Sequence, residues 1–294
     1  MRLCLRCRTT FGGAEWRCPN CGAEPERIAG FPAFAPGLAR GAEGFDPAHF
    51  AELARLEAGN FWFRGRNSLI AWALARYFPR ARSMLEVGCG TGFVLAGVAE
   101  SRPALRLTGS EVATEGLAFA AQRVPAAELV QMDARHIPFR EEFDVAGAFD
   151  VIEHIEDDAA VLQELRAALA AGGGLMLTVP QHPALWSRYD AHAGHVRRYR
   201  RSELRAKVAA AGLEVVRMTS FVSLLLPLMF LSRLAQRAPD ARYDPLAELR
   251  IAPWLNRGLD AVLAAERALI RAGVSFPAGG SLLLVARKPH SAHA

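Results

Sequence analysis

The sequence predicts an α/β protein built on a doubly wound, mostly parallel sheet. Short apolar runs at residues 84–87, 105–109, 128–131, 143–149 and 175–179 alternate with stretches of helical periodicity, the order that a parallel sheet with crossover helices requires. The first run breaks into Gly88-Cys89-Gly90-Thr91-Gly92 and passes at once into a helical stretch, 93–100, which is how a nucleotide-cofactor crevice begins. The composition agrees: of 294 residues 51% are hydrophobic and 22% charged, which argues against a disordered chain and allows one large domain with a small appendage. The net charge of +5 suits an anionic partner, whether nucleic acid, a phosphorylated substrate or an acidic membrane surface, and does not choose among them.

The appendage comes first. Residues 1–7 hold cysteines and arginines where an export signal needs an uninterrupted apolar core, so a cytoplasmic setting is expected. There the pairs Cys4/Cys7 and Cys18/Cys21, ten residues apart, read as metal ligands before they read as disulfides or free thiols. Two such knuckles brought together by a hairpin place four thiolates around a tetrahedral Zn²⁺. A ribbon over residues 1–28 has almost no apolar core, so the metal would supply most of its folding free energy, on the order of 10–16 kcal/mol. A closed four-sulfur site has no position for a substrate, so the zinc is expected to be structural. Residues 29–47, rich in glycine and proline, show neither period and read as a linker, leaving 48–290 as the main domain.

That domain should open with a helix capped by Asp46-Pro47 and carrying Phe50, Leu53 and Leu56 on one face, then a second over 67–78, before Pro79. In the glycine loop the backbone must turn sharply and lie against a ligand without a Cβ in the way. A lone glycine loop is weak evidence, and its neighbours decide. Phe93 stands where a dinucleotide fingerprint wants its third glycine, which argues against NAD. Glu111 follows the run 105–109, about twenty residues past the loop, the place of a carboxylate that accepts ribose hydroxyls. The run 128–131 ends at Met132-Asp133-Ala134, where an acid can accept a hydrogen bond from an adenine amino group. Either acid alone reads equally well as a helix cap; their succession after two strands favours the cofactor.

Leu85-Glu86-Val87-Gly88-Cys89-Gly90-Thr91-Gly92, Glu111, Asp133 and Phe149-Asp150-Val151-Ile152-Glu153-His154-Ile155 together resemble class I S-adenosylmethionine-dependent methyltransferases, nearest the ubiquinone and menaquinone biosynthesis type. The resemblance covers residues 60 to 220 or so, leaving out the ribbon and most of the C-terminal third. It implies a Rossmann-like, doubly wound, seven-stranded sheet with its last strand, 281–286, antiparallel. It also implies that Glu86, Gly88, Cys89, Gly90 and Gly92 hold the methionine end of the cofactor, Glu111 the ribose and Met132-Asp133-Ala134 the adenine, with Asp150 at the same sheet edge. The family commonly has aspartate where this chain has Glu86. The segment Phe61-Trp62-Phe63-Arg64-Gly65-Arg66-Asn67 is expected to fold over the cofactor, with Arg64 or Arg66 pairing with the methionine carboxylate; an aromatic packing patch is the other reading.

The fourth strand, 143–149, delivers Asp150, Glu153 and His154 to this edge, and a helix is expected over 157–171, stopped by Gly172-Gly173-Gly174. After the fifth strand comes the densest polar and aromatic cluster of the chain, including Gln181, His182, Tyr189, Asp190, His192, His195, Arg197 and Tyr199. Loops after strands four and five overhang the transferable methyl in a sheet of this kind, so acceptor recognition belongs there. Methyl transfer needs an in-line nucleophile about 3–3.5 Å away, and much of the acceleration comes from that orientation. If the acceptor is a hydroxyl, His154, His182 or His195, in that order, is placed to take its proton; a histidine that only ties its loop together is the alternative. His182, His192 and His195 fit no strong metal motif. The run Arg197-Arg198-Tyr199-Arg200-Arg201 would grip a phosphate or lipid head group, or simply solvate the entrance to a helix over 202–211.

Between the sixth strand, 213–219, and the last lies an insertion, 221–279, that opens with an apolar stretch interrupted by Pro227, too short to span a bilayer. It is expected to roof a greasy pocket or pack on 252–270, with peripheral membrane contact through 221–237 as the further option. The expected function is transfer of a methyl group from S-adenosyl-L-methionine to oxygen or carbon of a small-molecule or lipid-linked acceptor. The alternatives are an RNA methyltransferase using the ribbon and basic surface, and a cofactor-binding protein without catalysis.

Overall fold

The computed structural model describes residues 1–39, 49–235 and 249–290. Its centre is the run β5 (Ser83–Val87), β6 (Arg106–Glu111), β7 (Glu128–Gln131), β8 (Phe143–Phe149) and β9 (Leu169–Pro180), all parallel to their neighbours. β11 (Ser281–Arg287) enters antiparallel between β9 and β10 (Glu214–Phe221). The order β10-β11-β9-β8-β5-β6-β7 is the expected seven-stranded Rossmann-like sheet. Because successive crossovers run outward in opposite directions from β5 and β8, the strand ends there open into a crevice.

Side-chain alternation along buried strands builds two cores. Leu85, Val87, Ala146 and Leu175 point toward α5 (Asp158–Ala168) and α7 (Arg201–Ala210). Met84, Val145 and Met176 point toward α2 (Phe61–Tyr77), α3 (Phe93–Ser101), α4 (Thr114–Arg123) and α9 (Pro253–Arg271).

The sheet does not stop at seven strands. β3 (Glu26–Ile28) and β4 (Phe31–Ala33) form a hairpin whose second strand pairs parallel with β7, Ala33 opposite Gln131. The Gln131 side chain clasps Ala35 from both sides, Ala35 N donating to Oε1 at 3.0 Å and Nε2 donating to the Ala35 carbonyl at 2.8 Å. The expected linker is thus structured through residue 39, and the expected ribbon boundary at 28 cuts a hairpin. An open edge on β7 would expose unpaired backbone groups; the added strand covers its end, with Phe34 N donating to the Gln131 carbonyl at 2.8 Å. Residues 40–48, including the Asp46-Pro47 cap, lie outside the described residues; the helix expected after it is α1 (Phe50–Leu56). Before the hairpin, β1 (Arg2–Leu3) and β2 (Thr10–Phe11) pair antiparallel, and Leu3 N donates to the Pro138 carbonyl at 2.9 Å, docking this end on the body.

Two helices differ from expectation for identifiable reasons. α2 begins six residues early because Asn60 caps it, accepting from Trp62 N at 2.9 Å, while Asn256 Oδ1 accepts from Phe61 N. α5 ends at Ala168 because Glu141 N and Glu142 N take the carbonyls of Ala167 and Ala168 at 2.9 Å each, and Leu169 then pairs with Phe143. In the insertion, α9 packs along α2 instead of along α8 (Leu226–Ala235). Leu263 lies so close over Gly65 that a Cβ there would meet its Cδ1 at 3.0 Å. Glu266, buried, accepts from Ser223 N at 2.6 Å and Leu224 N at 2.8 Å, which anchors the start of the insertion. Among the described residues, no helix is long and apolar enough to cross a membrane.

Candidate active site

A cavity of about 1160 Å³ opens at the ends of β5, β6, β7 and β8. Its floor is the glycine loop. Gly88, at φ +68°, is pressed under Val151, where any side chain would overlap the valine, and Gly90, at φ +52°, faces the cavity beside the Phe50 ring, which a Cβ would meet at 3.8 Å. Gly92 does not line the cavity: at φ +76° its missing Cβ would stand 2.8 Å from Ala120 Cα, so it serves the packing of α3 on α4 and not the ligand, a correction to the sequence expectation. Thr91 is buried and bonded to Glu57 at 2.7 and 2.8 Å, and Arg123 reaches both at 2.6 and 2.7 Å. Glu57 and Arg123 were not legible as site residues, since only folding joins α1 and α4 beneath the loop.

Three acids follow on the strand ends. The Glu111 carboxylate accepts from Gly90 N at 3.0 Å and Val112 N at 2.8 Å; burial raises its pKa and these backbone donors oppose the rise. A carboxylate offers about four acceptor positions, so room remains for a donor from a ligand. At Asp133 burial also raises the pKa, but Arg135, bonded to both oxygens at 2.8–3.0 Å, outweighs it and holds the group below its ordinary value. Glu86 is 2% exposed; burial pushes its carboxyl well up against the pull of Arg66, and its Oε2 has no partner among the described residues. Cys89, Met132 and Ala134 complete this wall.

The two arginines of the aromatic segment separate. Arg66 turns inward, bonds Asp150 and stacks on Trp62 with its guanidinium 4.6 Å from the ring centroid. Asp150, at φ +58°, also accepts from Thr178 Oγ1 at 2.9 Å. Arg64, two positions away on a helix, points off the crevice and pairs with Asp260 of α9 at 2.5 Å, so it is removed from the cofactor set. Had 61–67 been a loop both could have reached inward; on α2 only one face does.

The far wall carries Glu153, His154 and His195. Glu153 is fully buried with neither carboxylate oxygen partnered among the described residues, and burial keeps its pKa well up. Burial and the neighbouring His195 push His154 down to about 4; its Nδ1 has no partner there, and the two rings stand 4.7 Å apart. His195 Nδ1 is held by Asp190 at 2.8 Å, and Asp190, fully buried, also accepts from Arg198 Nε at 2.8 Å and from Ser187 N and Oγ at 2.7 Å. Burial would raise Asp190; these donors outweigh it and hold it at about 2. His182 does not line the cavity: it takes up a left-handed turn at φ +63°, its N donating to the Tyr199 carbonyl at 3.1 Å, and it leaves the set of proton acceptors.

Three arginines of the run are spent internally, while Arg200 is exposed. Arg197 donates to the Ile155 carbonyl at 2.8 Å and pairs with Asp158 at 3.0 Å, Arg198 is buried on Asp190, and Arg201 donates to the Phe276 and Met218 carbonyls. Tyr199, fully buried, donates to Asp158 at 2.6 Å. These contacts bind the acceptor loop to the loop after β8. Leu225, Leu228 and Met229, at and just before α8, form the roof.

At the ribbon, Cys4 and Cys21 Sγ stand 3.6 Å apart, as do Cys7 and Cys18, with all four sulfurs within 4.8 Å of one another. That is too long for a disulfide and close to the edge of a ZnS₄ tetrahedron, about 3.8 Å for a 2.3 Å Zn–S bond.

Residues 61–218, over half of the chain, match a protein family described as "Methyltransferase domain". The chain therefore belongs to this methyltransferase-domain family. A probable S-adenosylmethionine-dependent methyltransferase of Mycobacterium tuberculosis is 32% identical over 165 residues, 53% of this chain and 57% of that protein. The ubiquinone biosynthesis O-methyltransferase of Psychrobacter cryohalolentis is 30% identical over 111 residues, 35% of this chain and 42% of that one. The chain thus spans about half the length of the curated relatives it matches. Among solved structures, the Haemonchus contortus phosphoethanolamine N-methyltransferase 2 in complex with S-adenosyl-L-methionine shares the fold, with a TM-score of 0.51 at 20% identity over 76% of this chain and 53% of that one.

Proposed function

We propose that the chain transfers the methyl group of S-adenosyl-L-methionine to oxygen or carbon of a small-molecule or lipid-linked acceptor. One observation carries the reading: a single cavity joins the carboxylates Glu111 and Asp133 to the polar wall of Glu153, His154 and His195 beneath an apolar roof. The cofactor supplies an electrophilic methyl group on a sulfonium. Asp133 would accept from the adenine amino group, Glu111 from the ribose hydroxyls, and Gly88 and Gly90 would lie against the amino-acid tail. Arg66 is placed for its carboxylate, and the unpartnered oxygen of Glu86 for its ammonium, directly or through water; Asp150 holds Arg66 in place. Water exclusion and orientation then do most of the work. A hydroxyl acceptor would release its proton toward the bare nitrogens of His154 or His195.

The roof suits an amphipathic acceptor. Leu228 and Leu231 of α8 are 52% and 64% exposed, so an apolar tail would leave the cavity there, and peripheral membrane contact through 221–237 extends the same reading; residues 236 and 237 lie outside the described residues. The ribbon cysteines would hold structural Zn²⁺, as their sulfur spacing suits, in a reducing cytoplasm. RNA as acceptor is disfavoured because Arg197, Arg198 and Arg201 of the arginine run are engaged within the fold. A non-catalytic cofactor-binding role is disfavoured because the wall facing the acceptor lobe keeps unpartnered titratable groups. A radiolabelled methyl assay against lipid, metabolite and RNA pools is the test: label in a lipid or metabolite fraction is expected, while label in RNA alone, or none with cofactor bound, overturns the proposal.

A further inference from the structure

We infer that Glu153, His154 and His195 form a divalent-metal site on the acceptor wall of the cavity, and that an oxygen of the acceptor completes its coordination. The second half rests on the methyltransferase reading; the first does not.

The ligand atoms of these three residues lie within 4.8 Å of one another. Proximity alone would carry little, but the unused valences point the same way. Glu153 is 0% exposed and has no partner on either oxygen among the described residues, an arrangement that proteins avoid unless something fills it. His195 is held through Nδ1 by Asp190, which leaves Nε2 as its remaining donor. The His154 Nδ1 is buried without a partner among the described residues. Imidazole ligands are oriented in the way His195 is, one nitrogen tied to a carboxylate or backbone group and the other presented to the ion. Arg198 and Ser187 hold Asp190 in turn, so the outer support of the site is built.

Two imidazoles and one carboxylate select a first-row transition cation such as Zn²⁺, Mn²⁺ or Fe²⁺ over Mg²⁺ or Ca²⁺. Three protein ligands leave coordination positions open, and all three residues line the cavity, so those positions face the acceptor. The acceptor class is then a phenol, enol or carboxylate, a donor with an oxygen that a cation can bind and acidify. The cation acidifies a hydroxyl, whose proton passes to solvent; that oxygen bonds the methyl carbon as the carbon–sulfur bond breaks, and the sulfur leaves as a neutral thioether. With metal bound, the histidine lone pairs belong to the cation, and it takes over from them the removal of the acceptor's proton.

Co²⁺ titrated into the chelator-stripped full chain distinguishes this site from the ribbon, because thiolate ligands give intense near-ultraviolet charge-transfer bands and nitrogen–oxygen ligands only weak visible ones. Two equivalents are expected, one of each kind. The Cys18→Ser, Cys21→Ser double variant should keep the weak-band site. Glu153→Gln and His195→Ala should lose it, and Asp190→Asn should weaken it by about 10–100-fold. Cofactor affinity measured on each variant reports independently on the fold. Uptake of a single equivalent with thiolate bands, or weak-band binding by Glu153→Gln and His195→Ala as tight as in the parent, overturns the site. A second equivalent in a chain that binds no S-adenosyl-L-methionine would sustain the metal site and sink the methyltransferase reading.

Discussion

Replacing Glu111 by alanine removes the acceptor of two backbone donors, Gly90 N at 3.0 Å and Val112 N at 2.8 Å, and with it the proposed partner of both ribose hydroxyls. Hydrogen bonds to a charged group contribute roughly 1.5–3 kcal/mol each. Loss of the two ribose bonds therefore corresponds to about 3–6 kcal/mol, or about two to four orders of magnitude in Kd. The fold should suffer much less. Glu111 lines a large cavity, so water can enter the vacated space and satisfy both amides. Isothermal calorimetry with S-adenosyl-L-methionine and S-adenosylhomocysteine checks the affinity, and a thermal melt without ligand checks the fold. Both ligands should weaken equally, because the ribose is common to them. An alanine variant that binds within about threefold of the parent, a difference of well under 1 kcal/mol, would remove Glu111 from the site and with it the orientation assigned to the cofactor.

Gly92→Ala, forced to φ +76° against Ala120, should destabilise by about 1–3 kcal/mol from backbone strain alone; denaturant titration should show the loss while cofactor affinity per folded molecule stays unchanged. Arg64→Ala loses a partly exposed ion pair and should change stability by less than about 1 kcal/mol with no effect on cofactor affinity. Arg66→Ala strands Asp150 and should lower both, and equal calorimetric behaviour of the two variants would refute the division between them. Glu86 has a raised folded pKa, so its contribution to stability is fully present below the unfolded carboxyl value of about 4.3 and is lost as pH rises through the folded value. Glu86→Gln should accordingly be the more stable protein at pH 8 and lose that advantage by pH 4, which urea titrations at the two pH values test. Cys18→Ser should release zinc and raise hydrogen exchange in β1 to β4 only; a ribbon that stays protected without metal contradicts a zinc-dependent fold.

The strand-end half of the cavity was readable because its determinants are local. A buried parallel strand must be apolar, its glycine loop must follow at once, and acids such as Glu111 and Asp133 need only stand directly after their strands to reach one edge. The same is true of the ribbon, where the cysteine spacing alone brings four sulfurs together once two knuckles form. The acceptor half was less readable. His154 and His195 were identified and do meet, yet His182, equally eligible by sequence, turns away because the Tyr199 carbonyl holds its backbone in a left-handed turn. Asp190 stood among the polar residues of that loop with nothing to show that it would be buried under His195, Arg198 and Ser187.

Sequence by itself determined which runs become strands, which acids follow them and where the paired cysteines stand, since each rests on residues within a few positions of one another along the chain. Tertiary structure alone decided that residues 31–33 extend the sheet beside β7, that Arg66 and not Arg64 enters the crevice, and that Glu153 is buried beside two histidines without a partner among the described residues. The difference is physical. Local periodicity sets which element forms, whereas the direction of a side chain and the satisfaction of a buried polar group depend on partners brought in from distant parts of the chain.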